Sequence, residues 1–151
     1  MPSYRERLWP AAWMYVVIAL IVPATLLVFA PISIEAGIAT SIVLVAGSVA
    51  VLLVTAPTIE VVEGELRAGR ARIPLALVGA AVVARREEAR HERGPGLDAR
   101  AHLLLRGWVD PVARIPVLDA DDPTPYWLLS TRRPEELAAA IAAARPVAEA
   151  P

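Results

Sequence analysis

The sequence predicts a membrane α-helical hairpin of two transmembrane helices joined to a small α+β domain, mostly antiparallel β, with a C-terminal helix. Charge distribution is the first reason. From Leu8 to Ile59 the only formally charged side chain is Glu35, whereas the stretch beyond it to Pro151 holds thirteen arginines and fourteen acids. The second reason is that this charged part breaks into short runs of alternating character separated by turn residues. The third is a capped, alanine-rich helical pattern after the last such run.

A transmembrane helix needs about 20 mostly apolar residues to cross the hydrocarbon layer. Two windows satisfy this, residues 11–30 and 36–56, and each holds ten residues drawn from Leu, Ile, Val and Phe. On an insertion scale those ten alone favour the bilayer by about 3–6 kcal/mol per helix. Pro23 falls inside the first span and is expected to kink it, because it removes one backbone donor. Pro31 and Gly37 bracket the turn between the spans, so the helices are expected to be antiparallel neighbours with Glu35 solvated between them. Small residues at Gly37 and Ser41, and again at Ala46 and Ala50, would let the helices approach closely.

Arginine asymmetry sets the expected orientation. Arg5 and Arg7 precede the first span, Arg67, Arg70 and Arg72 follow the second, and the turn has none. Under the positive-inside rule both termini are then cytoplasmic and the chain is a multi-pass protein of the cell membrane. A cleaved signal peptide is not expected, because the apolar stretch is long and a second span follows at once. The resulting division is a cytoplasmic lead-in at residues 1–10, the hairpin at 11–56 and a cytoplasmic domain at 57–151.

Within that domain Thr58–Val62 and Glu65–Ala68 read as strands joined by Glu63-Gly64, where glycine accepts the positive φ of a tight hairpin. Arg70–Leu75, Gly79–Ala84, His102–Trp108, Arg114–Leu118 and Tyr126–Ser130 complete the set, and Glu87–Asp98 reads as an exposed loop. The closing helix spans residues 134–145, with Thr131 as its cap, Pro134 in its first turn and Glu135 and Glu136 at the positive end of its dipole. Leu137, Ile141 and Ala144 form its apolar stripe.

Composition excludes several activities. The chain has no cysteine, lysine, asparagine or glutamine, and its formal net charge is −1. Thiolate, cysteine-zinc and lysine-dependent chemistry have no residues to act through, and the charge is far from the cationic surplus of a nucleic-acid binder. His91 and His102 lack metal-ligand spacing, and no nucleophile elbow or dinucleotide fingerprint occurs. Asp119, Asp121 and Asp122 cluster, but Pro123 and Pro125 follow at once, so they read as backbone-bonding residues of a stiff loop. No enzyme, cofactor or metal site is expected.

Short antiparallel strands followed by one helix resemble the order of pleckstrin-homology-like domains. Three segments resemble more closely the actinobacterial membrane proteins catalogued as domain of unknown function 3093. They are Tyr4-Arg5-Glu6-Arg7-Leu8-Trp9, then Gly64-Glu65-Leu66 through Gly69-Arg70-Ala71-Arg72-Ile73-Pro74, then Asp121 to Trp127 running on from Ser130 to Leu137. The resemblance implies the two-span layout and no catalytic residues.

The functional expectation is a membrane-tethered interaction module presenting a protein- or lipid-binding surface. Arg67, Arg70 and Arg72 are its candidates for anionic headgroups. Trp108, Asp110, Asp121, Asp122, Tyr126 and Trp127 are its candidates for a membrane or cytoplasmic protein partner. The alternative is a small transport or envelope-maintenance component acting through oligomerised helices.

Overall fold

The computed structural model describes residues 3–145. Two compact units divide the chain: Trp9–Ala56 forms one, and Met1–Leu8 with Pro57–Pro151 forms the other. The apolar unit is therefore an insertion within the second unit.

In the apolar unit, α1 (Ala12–Ala19) and α2 (Ile21–Phe29) follow one another around Leu20, and α3 (Ile34–Val54) returns. Both the Ala12–Phe29 stretch and α3 are long and apolar enough to cross a membrane. The break lies three residues before Pro23, as expected where the proline ring meets the carbonyl one turn back and no donor reaches it. Leu20 N–H divides its bond between the Val16 and Val17 carbonyls, 3.2 Å from each. Gly37 proves to be a packing residue of α3 and not a turn glycine: a Cβ there would lie 3.0 Å from the Phe29 Cβ. Ser41, one turn on, is also buried, whereas Ala46 and Ala50 are exposed. Glu35, expected in the turn, sits exposed in the first turn of α3, where Ser33 caps the helix by accepting from the Ala36 N–H.

The second unit contains two four-stranded sheets. The first runs in the order β1 (Tyr4–Arg7), β2 (Thr58–Val62), β3 (Glu65–Ala68), β4 (Ala71–Pro74), all antiparallel. Residues before the first helix were expected as a lead-in; they form an edge strand instead, and Leu8 N–H donates to Pro57 O at 2.9 Å. Alternation points Tyr4, Glu6, Leu8, Ile59, Val61, Leu66, Ala68 and Ile73 inward, where all are buried. The β2–β3 turn has positive φ at both Glu63 (52°) and Gly64 (77°), the requirement of a type I′ hairpin.

The second sheet has the order β5 (Val82–Ala84), β7 (Val112–Pro116), β8 (Tyr126–Ser130), β6 (His102–Leu104). The expected Gly79–Ala84, His102–Trp108 and Arg114–Leu118 strands are thus shorter or shifted. β6 also pairs with β8 in parallel, not antiparallel. That direction is open to it because β7 lies between them in sequence and provides the long crossover a parallel pair needs.

Strand β8 is buried along its whole length. Trp127 and Leu129 face a core shared with the first sheet and with Leu137 and Ile141 of α5 (Pro134–Ala144). Tyr126 and Leu128 face a smaller cluster containing Ala89. That residue belongs to α4 (Arg86–Arg93), a helix where the sequence suggested a polar loop. Ala89 is the only buried residue of α4, so no apolar period marks the helix in sequence.

A candidate interaction surface

The arginine candidates share one outward face and its turn, whereas the others divide between loop positions and the buried strand β8. On the outer face of the first sheet, cross-strand register aligns Arg5 with Glu60, Glu60 with Arg67, and Arg67 with Arg72, making one row over four strands. Arg5 Nε lies 3.0 Å from Glu60 Oε1. Arg67 Nη2 lies 3.0 Å from Glu65 Oε2 and 3.9 Å from Glu63 Oε2. Arg70, in the β3–β4 turn, and Arg72 are both exposed. Strand β1 thus adds Arg5 and Arg7 to the three arginines singled out in the sequence.

The protein-binding candidates fare differently. Tyr126 and Trp127 were expected on a partner-binding surface, but they are 3% and 5% exposed within β8. Tyr126 Oη accepts from the Asp98 N–H at 2.8 Å, and the Arg114 guanidinium sits 4.0 Å above its ring. Trp127 packs on His102, ring centroids 4.5 Å apart, and burial lowers the His102 pKa. Trp108 is half-buried against the main core, with the Arg106 guanidinium 5.8 Å from its ring centre. Asp110 is exposed, and its Oδ2 accepts from the Arg86 N–H at 3.0 Å, satisfying a donor in the first turn of α4. Asp121 donates its N–H to Asp119 Oδ1 at 3.0 Å. Asp122 Oδ1 accepts from the Thr124 N–H at 2.8 Å, and that bond holds the carboxyl below its usual range. These aspartates shape their own loop. Among the described residues no group of three histidines and acids is placed to hold a metal ion.

A buried polar cluster escaped the sequence reading. Glu6 is only 6% exposed. Its Oε2 accepts from Tyr4 Oη at 2.7 Å and Thr131 Oγ1 at 2.6 Å, and its Oε1 from the Arg132 N–H at 3.0 Å. Desolvation is the largest influence on the Tyr4 phenol and raises its pKa, so it remains a donor. The Arg133 guanidinium lies 5.1 Å from the Tyr4 ring centre and donates to the Arg5 carbonyl at 2.8 Å. Thr131 was expected to cap α5. Its hydroxyl is committed to Glu6, and the cap position falls to Arg133, whose N–H donates to Thr131 Oγ1 at 3.1 Å. The signal was present in the alternation of Tyr4, Glu6 and Leu8, which puts the glutamate on the apolar side of a strand.

This cluster unites the first and last of the three segments that carry the family resemblance. A family model described as a protein of unknown function (DUF3093) matches residues 3–141. The chain belongs to the DUF3093 family. The DUF3093 match begins before the first helix and ends inside α5, so it embraces both units. No curated protein and no solved structure matches the chain.

Proposed function

We propose that this DUF3093 protein is a non-enzymatic, membrane-tethered interaction module. Its apolar hairpin spans the cell membrane, and its β domain, PH-like in strand-then-helix order, stands in the cytoplasm with both termini. The observation that carries the proposal is the insertion of the apolar unit between β1 and β2. The chain passes twice between anchor and domain, so an interaction made by the domain is held at the bilayer by two connections. Support for the anchor comes from large apolar side chains left exposed on its helices, such as Leu27 at 79% and Val54 at 82%. Exposed apolar surface of that extent suits lipid, not water.

A non-enzymatic role fits the polar chemistry. The tight hydroxyl–carboxylate contacts of Thr131 and Tyr4 with Glu6 are buried and fully hydrogen-bonded. The polar groove of about 550 Å³ beside α4 is lined by Arg86, Glu87, Arg90, Arg93, Gly94 and Asp110, without a hydroxyl or thiol nucleophile. Transport is the weaker reading. The apolar grooves of about 660 and 360 Å³ along α3 have no ionisable lining residue to pass a proton or ion.

The absence of cysteine makes the topology directly testable. A Glu35→Cys chain should react with an impermeant thiol reagent on intact cells, whereas Ala99→Cys should react only after lysis. Labelling of Ala99→Cys on intact cells overturns the cytoplasmic placement. Loss of phenotype on changing Glu35 or Pro23 alone, with the β domain's surface changes silent, would favour transport.

A further inference from the structure

We propose that the outer face of the first sheet, together with the β3–β4 turn, docks on anionic phospholipid headgroups. This rests on the membrane-tethered reading above and names the partner of its domain. Five arginines share this face and its turns, Arg5, Arg7, Arg67, Arg70 and Arg72, against three glutamates, Glu60, Glu63 and Glu65.

The glutamates are already engaged. Glu60 holds Arg5, and Glu65 and Glu63 hold Arg67. Arg72 lies directly across from Arg67, a like-charge pair that weakens a sheet unless an anion joins it. Neither Arg70 nor Arg72 has an acidic partner among the described residues. A guanidinium fork matches phosphate oxygens two at a time, so two such exposed groups on one hairpin suit a phosphate-rich surface.

Position in the chain selects lipid over free phosphate. Four residues separate Arg7 from α1, and three separate α3 from Thr58 at the start of β2. Strand β1, which bears Arg5 and Arg7, therefore ends, and β2 begins, beside the predicted spans in the chain. The Gly69 N–H of the β3–β4 turn donates to the Thr58 carbonyl at 2.9 Å, which puts that turn at the same end of the sheet. A protein partner fits the face less well. Its strand positions carry arginines and glutamates with Thr58, Val62 and Pro74 among them, and no aromatic anchor of the kind that carries protein interfaces.

The test uses the full chain in nanodiscs of phosphatidylcholine alone or mixed with phosphatidylglycerol, read by amide hydrogen exchange. Protection of the β3–β4 hairpin should rise with phosphatidylglycerol and fall again with added salt, while β8 stays unchanged. An R70Q/R72Q chain should lose docked population roughly 30-fold, from the attraction contributed by two arginines near an anionic surface. An R70K/R72K chain should retain a salt-sensitive response. Equal hairpin protection in both lipids, or an R70Q/R72Q chain that responds like wild type, overturns the proposal. Protection reproduced by inorganic phosphate over phosphatidylcholine overturns it too, in favour of a free-anion site. The anchored reading fails separately, if the chain is released from membranes by an alkaline wash.

Discussion

Glu6 shows how one residue can carry two opposite meanings. In sequence it sits among arginines ahead of an apolar helix and reads as part of a charged flank. In the fold it is a buried carboxylate whose hydrogen bonds reach Thr131, beside the start of α5. Removing a partner leaves that carboxylate short of a donor at a site water does not reach, which costs more than the bond itself contributed. Thr131→Val should therefore lower unfolding stability by about 1–3 kcal/mol in denaturant titrations. Thr131→Ser, which keeps the hydroxyl, should stay close to wild type. Loss in Thr131→Ser with little loss in Thr131→Val would show that the threonine methyl matters and the hydroxyl does not. Tyr126 and Trp127 teach the converse lesson. Aromatic residues after a proline-rich loop suggested an exposed surface, yet both belong to the most enclosed strand of the domain.

Among the elements, β2, β3, β8 and the start of α5 have the bounds that alternation and a first-turn proline predict. Each carries a strong local signal, and the β2–β3 turn is the clearest. A Cβ on Gly64 would meet nothing within 4 Å, so crowding does not demand glycine there; its φ of 77° does. Gly64→Ala should cost roughly 1–2 kcal/mol of stability through left-handed strain. Gly64→Asn should cost less, because its side chain tolerates that conformation. A thermal or denaturant melt that ranks the two variants the other way would refute the turn assignment. Helix α4 had no comparable signal. Beside the internal Arg90–Glu87 ion pair, it is held by Ala89 packed under β8 and by the Asp110 carboxylate on its first turn. The parallel β6–β8 pairing was equally hidden, since three-residue strands do not encode their direction.

At the scale of the molecule, the arrangement is a β domain interrupted by an apolar helical unit. The first sheet draws β1 from before the apolar helices and its other three strands from after them. Residues 57–145 alone should then be incompletely folded, exposing Ile59 and Val61 and leaving Thr131 without its carboxylate partner. Residues 3–8 joined to 57–145 through a turn of about two residues, such as Asn-Gly, should restore a cooperative, protease-resistant domain. The Leu8–Pro57 hydrogen bond shows that the strand ends already meet there. Matching protease sensitivity of the two chains would contradict the strand's role.

What the sequence determined by itself was whatever rests on local or additive physics. Twenty apolar residues specify a long apolar helix, period-two alternation a strand, and a proline followed by two glutamates a helix start. The family could also be read from short segments, before any of them was placed in space. The tertiary structure decided what depends on distant partners. Burial of Glu6 requires Thr131 from the far end of the chain, α4 exists because β8 is apolar on both faces, and Arg5 and Arg7 join Arg67 and Arg72 only through strand register. Those contacts join residues tens to more than a hundred positions apart, where no local pattern reaches.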